Sequence, residues 1–274
     1  MKKKKQIPDL HYLYEAAVQG VETDLDFAAR VFKQKNKRKP MDLREDFCGT
    51  AALACDWVKR SPKHRAWGVD IDRPTLDWGL RHNVPHVGKN AGKIELLCGD
   101  VMQAKTPPVD LVMALNFSYC IFKTRDLLRT YFKRVRSVLR KDGLFVMDLY
   151  GGTEAVDTKL EPRDVDAFIA TDGTKVPAFE YIWDQDQYNV IDHHVLNYIH
   201  FKIPGIGKIE KAFTYDWRLW TLPEIQELLI EAGFSDAEVY LHGWTKDGES
   251  DDIYRRRKNY ENSLGWVAYI VGVK

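Results

Sequence analysis

The segment Leu43–Asp72, LREDFCGTAALACDWVKRSPKHRAWGVDID, decides the fold. A short strand runs into the acidic pair Glu45–Asp46 and a turn of small residues, Cys48, Gly49, Thr50 and Ala51; a helix follows, and a second strand, RAWGVDID, ends on carboxylates. In an open α/β sheet this layout sets a tight backbone turn and an acid, Asp70, at neighbouring strand ends, where such sheets bind nucleosides. Asp70 lies 21 positions beyond Gly49, near the roughly twenty-residue offset of a ribose-binding acid. A carboxylate there can accept hydrogen bonds from both ribose hydroxyls. Asp72 is the alternative cap of a helix starting at Pro74.

Outward from this segment the chain alternates strand and helix. Strands are expected at Met41–Glu45, Arg65–Val69, Lys93–Leu97, Val109–Leu115 and Leu144–Leu149, with helices at Ala51–Lys59, Pro74–His82 and Arg125–Leu139. Strands so separated need crossover connections, which predicts a mainly parallel sheet with helices on both faces. Before it lies a helical leader, residues 1–40: one helix over Leu10–Val18 and a second from Asp24, read as its N-cap, to Gln34, with Phe27, Ala28, Val31 and Phe32 on one face.

The rhythm changes after Gly152. Residues 153–217 are rich in β-branched and aromatic side chains and read as an antiparallel insertion, with strands at Ala167–Ala170, Ala178–Asp184, Val190–Lys202 and Ile209–Trp217. The α/β pattern resumes over 218–274: Thr221 caps a helix through Ala232, Gly233 stops it, and strands Ala237–Leu241 and Gly265–Val273 close the chain around a charged loop, Lys246–Asn262.

A chain of 274 residues has ample core without staples. Cys48, Cys55, Cys98 and Cys120 form no CxxC pair and no zinc spacing, so no metal is expected and the plain reading is a reduced, cytoplasmic compartment. Lys2–Lys5 resembles the start of a signal peptide, but Gln6, Pro8, Asp9 and His11 follow where an apolar core belongs. No apolar run reaches the roughly 18 residues of a membrane span. A formal net charge of +1 argues against general polyanion binding; the basic run Lys33–Lys39 reads as a solvated helix end or as a contact for nucleic acid or an acidic substrate.

Three further motifs stand at the ends of the remaining strands: CGDVMQ (Cys98–Gln103), ALNFSYCIF (Ala114–Phe122) and MDLYGG (Met147–Gly152). With the first turn they make a chain that resembles a class I S-adenosylmethionine-dependent methyltransferase of the small-molecule type, over about Leu43–Leu149 plus the closing helix and two strands. The family's first turn reads acid-x-Gly-x-Gly-x-Gly. Here Glu45 is the acid and Gly49 the middle glycine, while Phe47 and Ala51 replace the outer two.

The resemblance implies a Rossmann-like three-layer sandwich with a seven-stranded sheet, GWVAYIVGVK as its antiparallel last strand, and S-adenosylmethionine as donor. It also implies site residues. Glu45 or Asp46 would meet the methionine ammonium beside Phe47, Cys48, Gly49 and Thr50. Asp70, with Ile71, would hold the ribose, and Asp100 the adenine amino group, with Val101 or Met102 against the ring. Asn116, Phe117, Ser118 and Tyr119 would face the methyl group and acceptor, with Asp148 and Tyr150 on the substrate side. Tyr14 and Glu15 lie in the first leader helix, read either as a lid over the donor or as packing.

Methyl transfer from a sulfonium needs in-line placement and a lone pair on the acceptor more than covalent help. Candidate bases or orienting groups are Asp148, Tyr119, Tyr14 and His193. Ser118, Tyr119, Tyr150, Trp217 and Arg218 are candidates for the acceptor, Arg218 either binding a carboxylate or pairing with Asp216. In the insertion His194 and His200 fall on one strand face and His193 on the other, with no carboxylate at useful spacing, a poor metal set. Tyr181, Trp183, Tyr215, Trp217 and Trp220 read as sheet core or as a cage for a flat or cationic acceptor. The leading expectation is transfer to N or O of a small molecule. Alternatives are an RNA- or protein-directed methyltransferase, a nicotinamide-dependent dehydrogenase, and a non-catalytic scaffold.

Overall fold

In a computed structural model of the chain, residues 7–245, 247 and 250–274 are described. Lys2–Lys5 of the basic start, and Lys246, Gly248 and Glu249 of the expected charged loop, lie outside them. The elements run α1 (Leu10–Val18), α2 (Val21–Asn36), β1 (Asp42–Asp46), α3 (Ala52–Lys59), β2 (Arg65–Asp70), α4 (Arg73–His82), β3 (Ile94–Cys98), β4 (Val109–Ala114), α5 (Arg125–Val138) and β5 (Leu139–Gly151). There follow β6 (Lys159–Val165), β7 (Phe168–Ile169), β8 (Lys175–Val176), β9 (Phe179–Tyr188), β10 (His194–Ile203) and β11 (Gly207–Arg218). The chain closes with α6 (Leu222–Glu231), β12 (Asp236–Leu241), β13 (Arg255–Arg256) and β14 (Trp266–Val273). It divides into two compact units, Met1–Gln19 with Val156–Leu219, and Gly20–Ala155 with Trp220–Lys274. The expected leader is thus split at Gly20: α1 goes with the insertion, and α2 with the α/β unit.

The larger unit holds one sheet in the order β13-β12-β14-β5-β4-β1-β2-β3. Strands β1 to β5 pair in parallel, and β14 is antiparallel to both β5 and β12. Seven strands match the expectation, and the two-residue β13 adds an eighth at the edge of β12. The chain leaves β1 toward β2 on one side and returns to β4 on the other, so the crevice of this sheet opens at the carboxyl ends of β1 and β4.

Local chemistry explains most of the boundaries. Asp72 accepts from the Thr75 N–H at 3.0 Å and caps α4, and Thr221 with Glu224 forms a capping box on α6. The apolar face of α2, Leu25, Phe27, Ala28, Val31 and Phe32, is buried in one cluster with Leu43, Leu111 and Val146 of the sheet. The reading of Asp24 as its N-cap is corrected: α2 starts a turn earlier, after Gly20, and the Asp24 N–H already donates to the Gly20 carbonyl. Its side chain instead accepts from the Tyr269 hydroxyl.

In the smaller unit β11-β10-β9-β6 form an antiparallel sheet, with β7 and β8 as a separate hairpin. Strand β6 was not anticipated, because its sequence KLEPRDV is charged and holds Pro162. As the sheet's edge it exposes one side to solvent and tolerates both. The expected strand from Val190 begins only at His194. Residues Asn189–His193 make the turn, with the His193 N–H on the Asn189 carbonyl at 2.8 Å. The expectation that no carboxylate stands near the histidines is also corrected, since pairing across the sheet brings Asp184 to 2.9 Å from His200 Nε2 and Asp216 to His194. Among the described residues no cluster could hold a metal ion, and no helix is long and apolar enough to cross a membrane.

Candidate active site at the strand tips

The turn after β1 keeps a glycine-rich geometry with one glycine. Phe47, Gly49 and Ala51 have φ of +59°, +52° and +59°, so each of the family's three glycine positions is left-handed here. An L-residue in that region costs about 1–2 kcal/mol. The turn is held against this cost by its neighbours: the Cys48 N–H donates to the Val69 carbonyl at 3.0 Å, Ala51 N–H to Cys48 at 2.8 Å, and Gly49 N–H to Asp70 Oδ2 at 2.8 Å. Ala51→Gly is expected to raise the unfolding free energy by roughly 0.5–1 kcal/mol, the strain relieved exceeding the added freedom of the unfolded chain. Urea denaturation measures it, and a loss of stability would contradict this account of the turn.

Helix α4 packs directly on the turn. A Cβ on Gly79 would come within 2.2 Å of the Thr50 carbonyl, and Asn83 donates to that carbonyl at 3.1 Å. Above Gly49, by contrast, an added Cβ would meet nothing closer than Thr75 Cγ2 at 3.9 Å, so space remains over the turn.

Glu45 and Asp46 at the end of β1 part company, because successive residues of a strand face opposite ways. Asp46 is fully buried and pairs with Arg44 Nε at 2.6 Å and the Tyr131 hydroxyl at 2.9 Å. Of the two candidates for the donor's ammonium, Asp46 is thereby removed and Glu45 remains. Glu45 Oε2 accepts from the Ala54 N–H at 3.0 Å. Burial, with Asp70, Asp24 and Asp46 nearby, pushes its pKa up to about 8 against the pull of that N–H. No sequence pattern assigned a role to Arg44, yet its guanidinium also donates to the Val101 and Ala104 carbonyls at 2.8 and 3.1 Å, and so carries the loop of Asp100. A charged i, i+2 pair within a buried strand was the available signal.

At the tip of β2, Asp70 is half-buried. Its Oδ2 accepts from Gly49 and its Oδ1 from the Asp72 N–H at 2.9 Å, so each oxygen keeps a lone pair for a hydroxyl. Ile71 beside it is exposed. At the tip of β3, Asp100 is exposed with Oδ1 on the Met102 N–H at 2.8 Å, and Val101 is buried. Glu45 for an ammonium, Asp70 for two hydroxyls, Asp100 for an amino group and open space over a left-handed turn fit S-adenosylmethionine.

At the tip of β4, Asn116 and Phe117 are left-handed, with φ of +55° and +58°. The Asn116 N–H donates to Asp148 Oδ2 and the Phe117 N–H to Oδ1, each at 2.9 Å. Burial pushes the Asp148 pKa up to about 7. Each of its oxygens holds one backbone N–H, so Asp148 clamps the tip of β4 through its side chain. Tyr119 is fully buried, its hydroxyl donating to the Asp148 carbonyl at 2.7 Å, and burial raises its pKa; this removes it from the candidates for base and for acceptor contact. Ser118 Oγ donates to the Leu115 carbonyl at 2.7 Å, and Tyr150 packs its ring 4.8 Å from that of Phe117.

Other candidates belong to the smaller unit. Tyr14 on α1 has its ring 4.8 Å from Phe213 and its hydroxyl bonded to Tyr215. His193 lies in the β9–β10 turn, Trp217 is buried with its ring 4.4 Å from Tyr215, and Arg218 ends β11 opposite His194. Trp220, grouped with them in the sequence, lies in the larger unit and is buried.

A family model described as a methyltransferase domain matches residues 46–147. No curated protein matches the sequence. Among solved structures the chain is similar to an S-adenosylmethionine-dependent methyltransferase from Clostridium acetobutylicum, at TM-score 0.67 and 17% identity over 97% of this chain and 98% of that one. It is similar also to the sugar N-methyltransferase KedS8 from Streptoalloteichus, at TM-score 0.65 and 14% identity over 100% of this chain and 96% of that one. A third is CalS10, an amino pentose methyltransferase from Micromonospora echinaspora with S-adenosylmethionine bound, at TM-score 0.64 and 12% identity over 100% of both chains. Matched domain and strand order agree: residues 46–147 carry a methyltransferase domain, and the chain has the fold of S-adenosylmethionine-dependent methyltransferases of known structure.

Proposed function

We propose that the protein methylates a nitrogen or oxygen of a small molecule by in-line displacement from S-adenosylmethionine. The observation that carries this reading is the bond from the Gly49 N–H to Asp70, which joins the left-handed turn of β1 to the ribose acid of β2 at one sheet edge. When bound, the donor supplies a methyl group already activated by its sulfonium. The chain's part is placement: Glu45 faces the ammonium, Asp70 the ribose, Asp100 the adenine, and Asn116 and Phe117 border the space beside the turn. With the Tyr119 hydroxyl buried on a main-chain carbonyl, an acceptor that arrives with its own lone pair, such as a neutral amine, suits this site better than one that must lose a proton first. Two structures of similar fold are named for amino or N-methylated sugars, which supports a small polar acceptor. Intact-mass screening of a metabolite pool with the purified protein and S-adenosylmethionine tests it. The expected product gains one methylene mass, and methylation of RNA or protein alone would overturn the small-molecule assignment.

Acidity supplies a further prediction. Glu45, at about 8, and Asp148, at about 7, hold protons in the folded chain that ordinary carboxyls release far lower. Their contribution to stability is full below the unfolded carboxylate range and is lost as pH rises through 7 to 8. A cationic donor favours the ionised forms, so its binding runs the other way. The ligand-free melting temperature is expected to fall from about pH 6 to about pH 8.5, while donor affinity rises by about tenfold. Calorimetry and thermal scans measure both; a ligand-free midpoint that climbs over this interval contradicts the assignment.

A further inference from the structure

We propose that Asp148 is a positioning residue for methyl transfer: its carboxylate holds Asn116 and Phe117 left-handed and so fixes the tip of β4 next to the donor turn of β1. The inference rests on the methyl-transfer reading for its consequence, and on geometry for the clamp.

Two successive L-residues in the left-handed region are disfavoured without an outside tie. They turn adjacent N–H groups into a concavity that suits an anion. Here each N–H reaches a different oxygen of one buried carboxylate at 2.9 Å. Asp148 contributes a second tie through its main-chain carbonyl, which accepts from Tyr119 three residues further along the same loop. The Tyr150 ring against Phe117 makes a third.

Register carries the effect to the donor. Met147 pairs with Ala114 in β5·β4, and Met113 with Glu45 in β4·β1, so the carboxylate, the clamped pair and the donor turn occupy successive tips of adjacent strands. The titratable groups that bear on Asp148 are Asp24 of α2, Tyr119 and Cys120 of the clamped loop, Tyr254, and Tyr269, its partner across β14. The two backbone N–H groups are therefore its designated partners. An amide of the same shape offers only one acceptor oxygen and turns a donor toward the other N–H.

The test is Asp148→Asn. Amide exchange over residues 114–122 is expected to rise by at least about tenfold, with exchange in the other strands little changed. S-adenosylhomocysteine affinity, by calorimetry, should change by less than about fivefold. With the acceptor found by mass screening, kcat should fall by on the order of 100-fold at nearly constant KM, as misplacement does. Adding Asn116→Gly, which takes the left-handed conformation freely, should restore part of the protection. Unchanged exchange at Asn116 and Phe117, or a rate loss that only follows the folded fraction, overturns the proposal. If no acceptor is methylated, the methyl-transfer reading fails while exchange over 114–122 still decides the clamp. Should the variant not fold, free-peptide exchange at these two amides in the unaltered protein overturns it.

Discussion

Arg44→Ala is expected to destabilise the protein by about 3–5 kcal/mol, because it leaves Asp46 as a buried charge without its partner. Both side chains are within 1% of full burial, and the pair sits at 2.6 Å. Burial alone pushes the Asp46 pKa up; Arg44 and the Tyr131 hydroxyl oppose that shift, so removing the cation removes much of what holds the carboxylate ionised. The midpoint should drop by about 10 °C for a chain of this size. The same substitution strips donors from the Val101 and Ala104 carbonyls, so the loop of Asp100 should loosen as well. Replacing the pair together, Arg44→Met with Asp46→Leu, should recover part of the loss, since an apolar pair leaves no unpaired charge. Urea and thermal unfolding decide the matter: a cost below about 1 kcal/mol for Arg44→Ala would mean that Asp46 is not dependent on this partner.

Asp70→Ala should weaken donor and product binding by on the order of 100-fold, the loss of two charge-assisted hydrogen bonds net of rehydration. Thermal protection by S-adenosylhomocysteine should then vanish at ligand concentrations that protect the unaltered protein. The side chain also ties Gly49 and Asp72. Asp70→Asn is the informative companion, since it keeps one acceptor for the turn and should fall between the two. Undiminished protection in the alanine variant would remove Asp70 from the donor site and with it the present account of the sheet edge.

Much of this site is legible in the sequence, where the physics is local. A turn followed 21 residues later by Asp70 brings two neighbouring strand ends together through one short crossover, whatever the rest of the chain does. The buried face of α2 and the caps Asp72 and Thr221 follow likewise from spacing within a few residues. The degenerate glycine motif is a different case. Phe47 and Ala51 argue against the turn by propensity, yet they adopt its left-handed angles because three hydrogen bonds from β2 and the turn itself hold them there.

What only the tertiary structure decided is which partner each polar side chain receives. Glu45 and Asp46 are indistinguishable as letters; the face of β1 that meets α5 gives Asp46 to Arg44 and Tyr131 and leaves Glu45 at the turn. Tyr119 looks like a catalytic group until β4 and β5 align their tips, which buries its hydroxyl on the Asp148 carbonyl and gives the Asp148 carboxylate the Asn116 and Phe117 N–H groups. His200 and Asp184 meet across a register that no periodicity in either strand specifies. Conformation along the chain is set by forces acting over a few residues, and these the sequence by itself determined. Pairing between strands far apart in the chain depends on register and burial, which exist only once the sheet has formed.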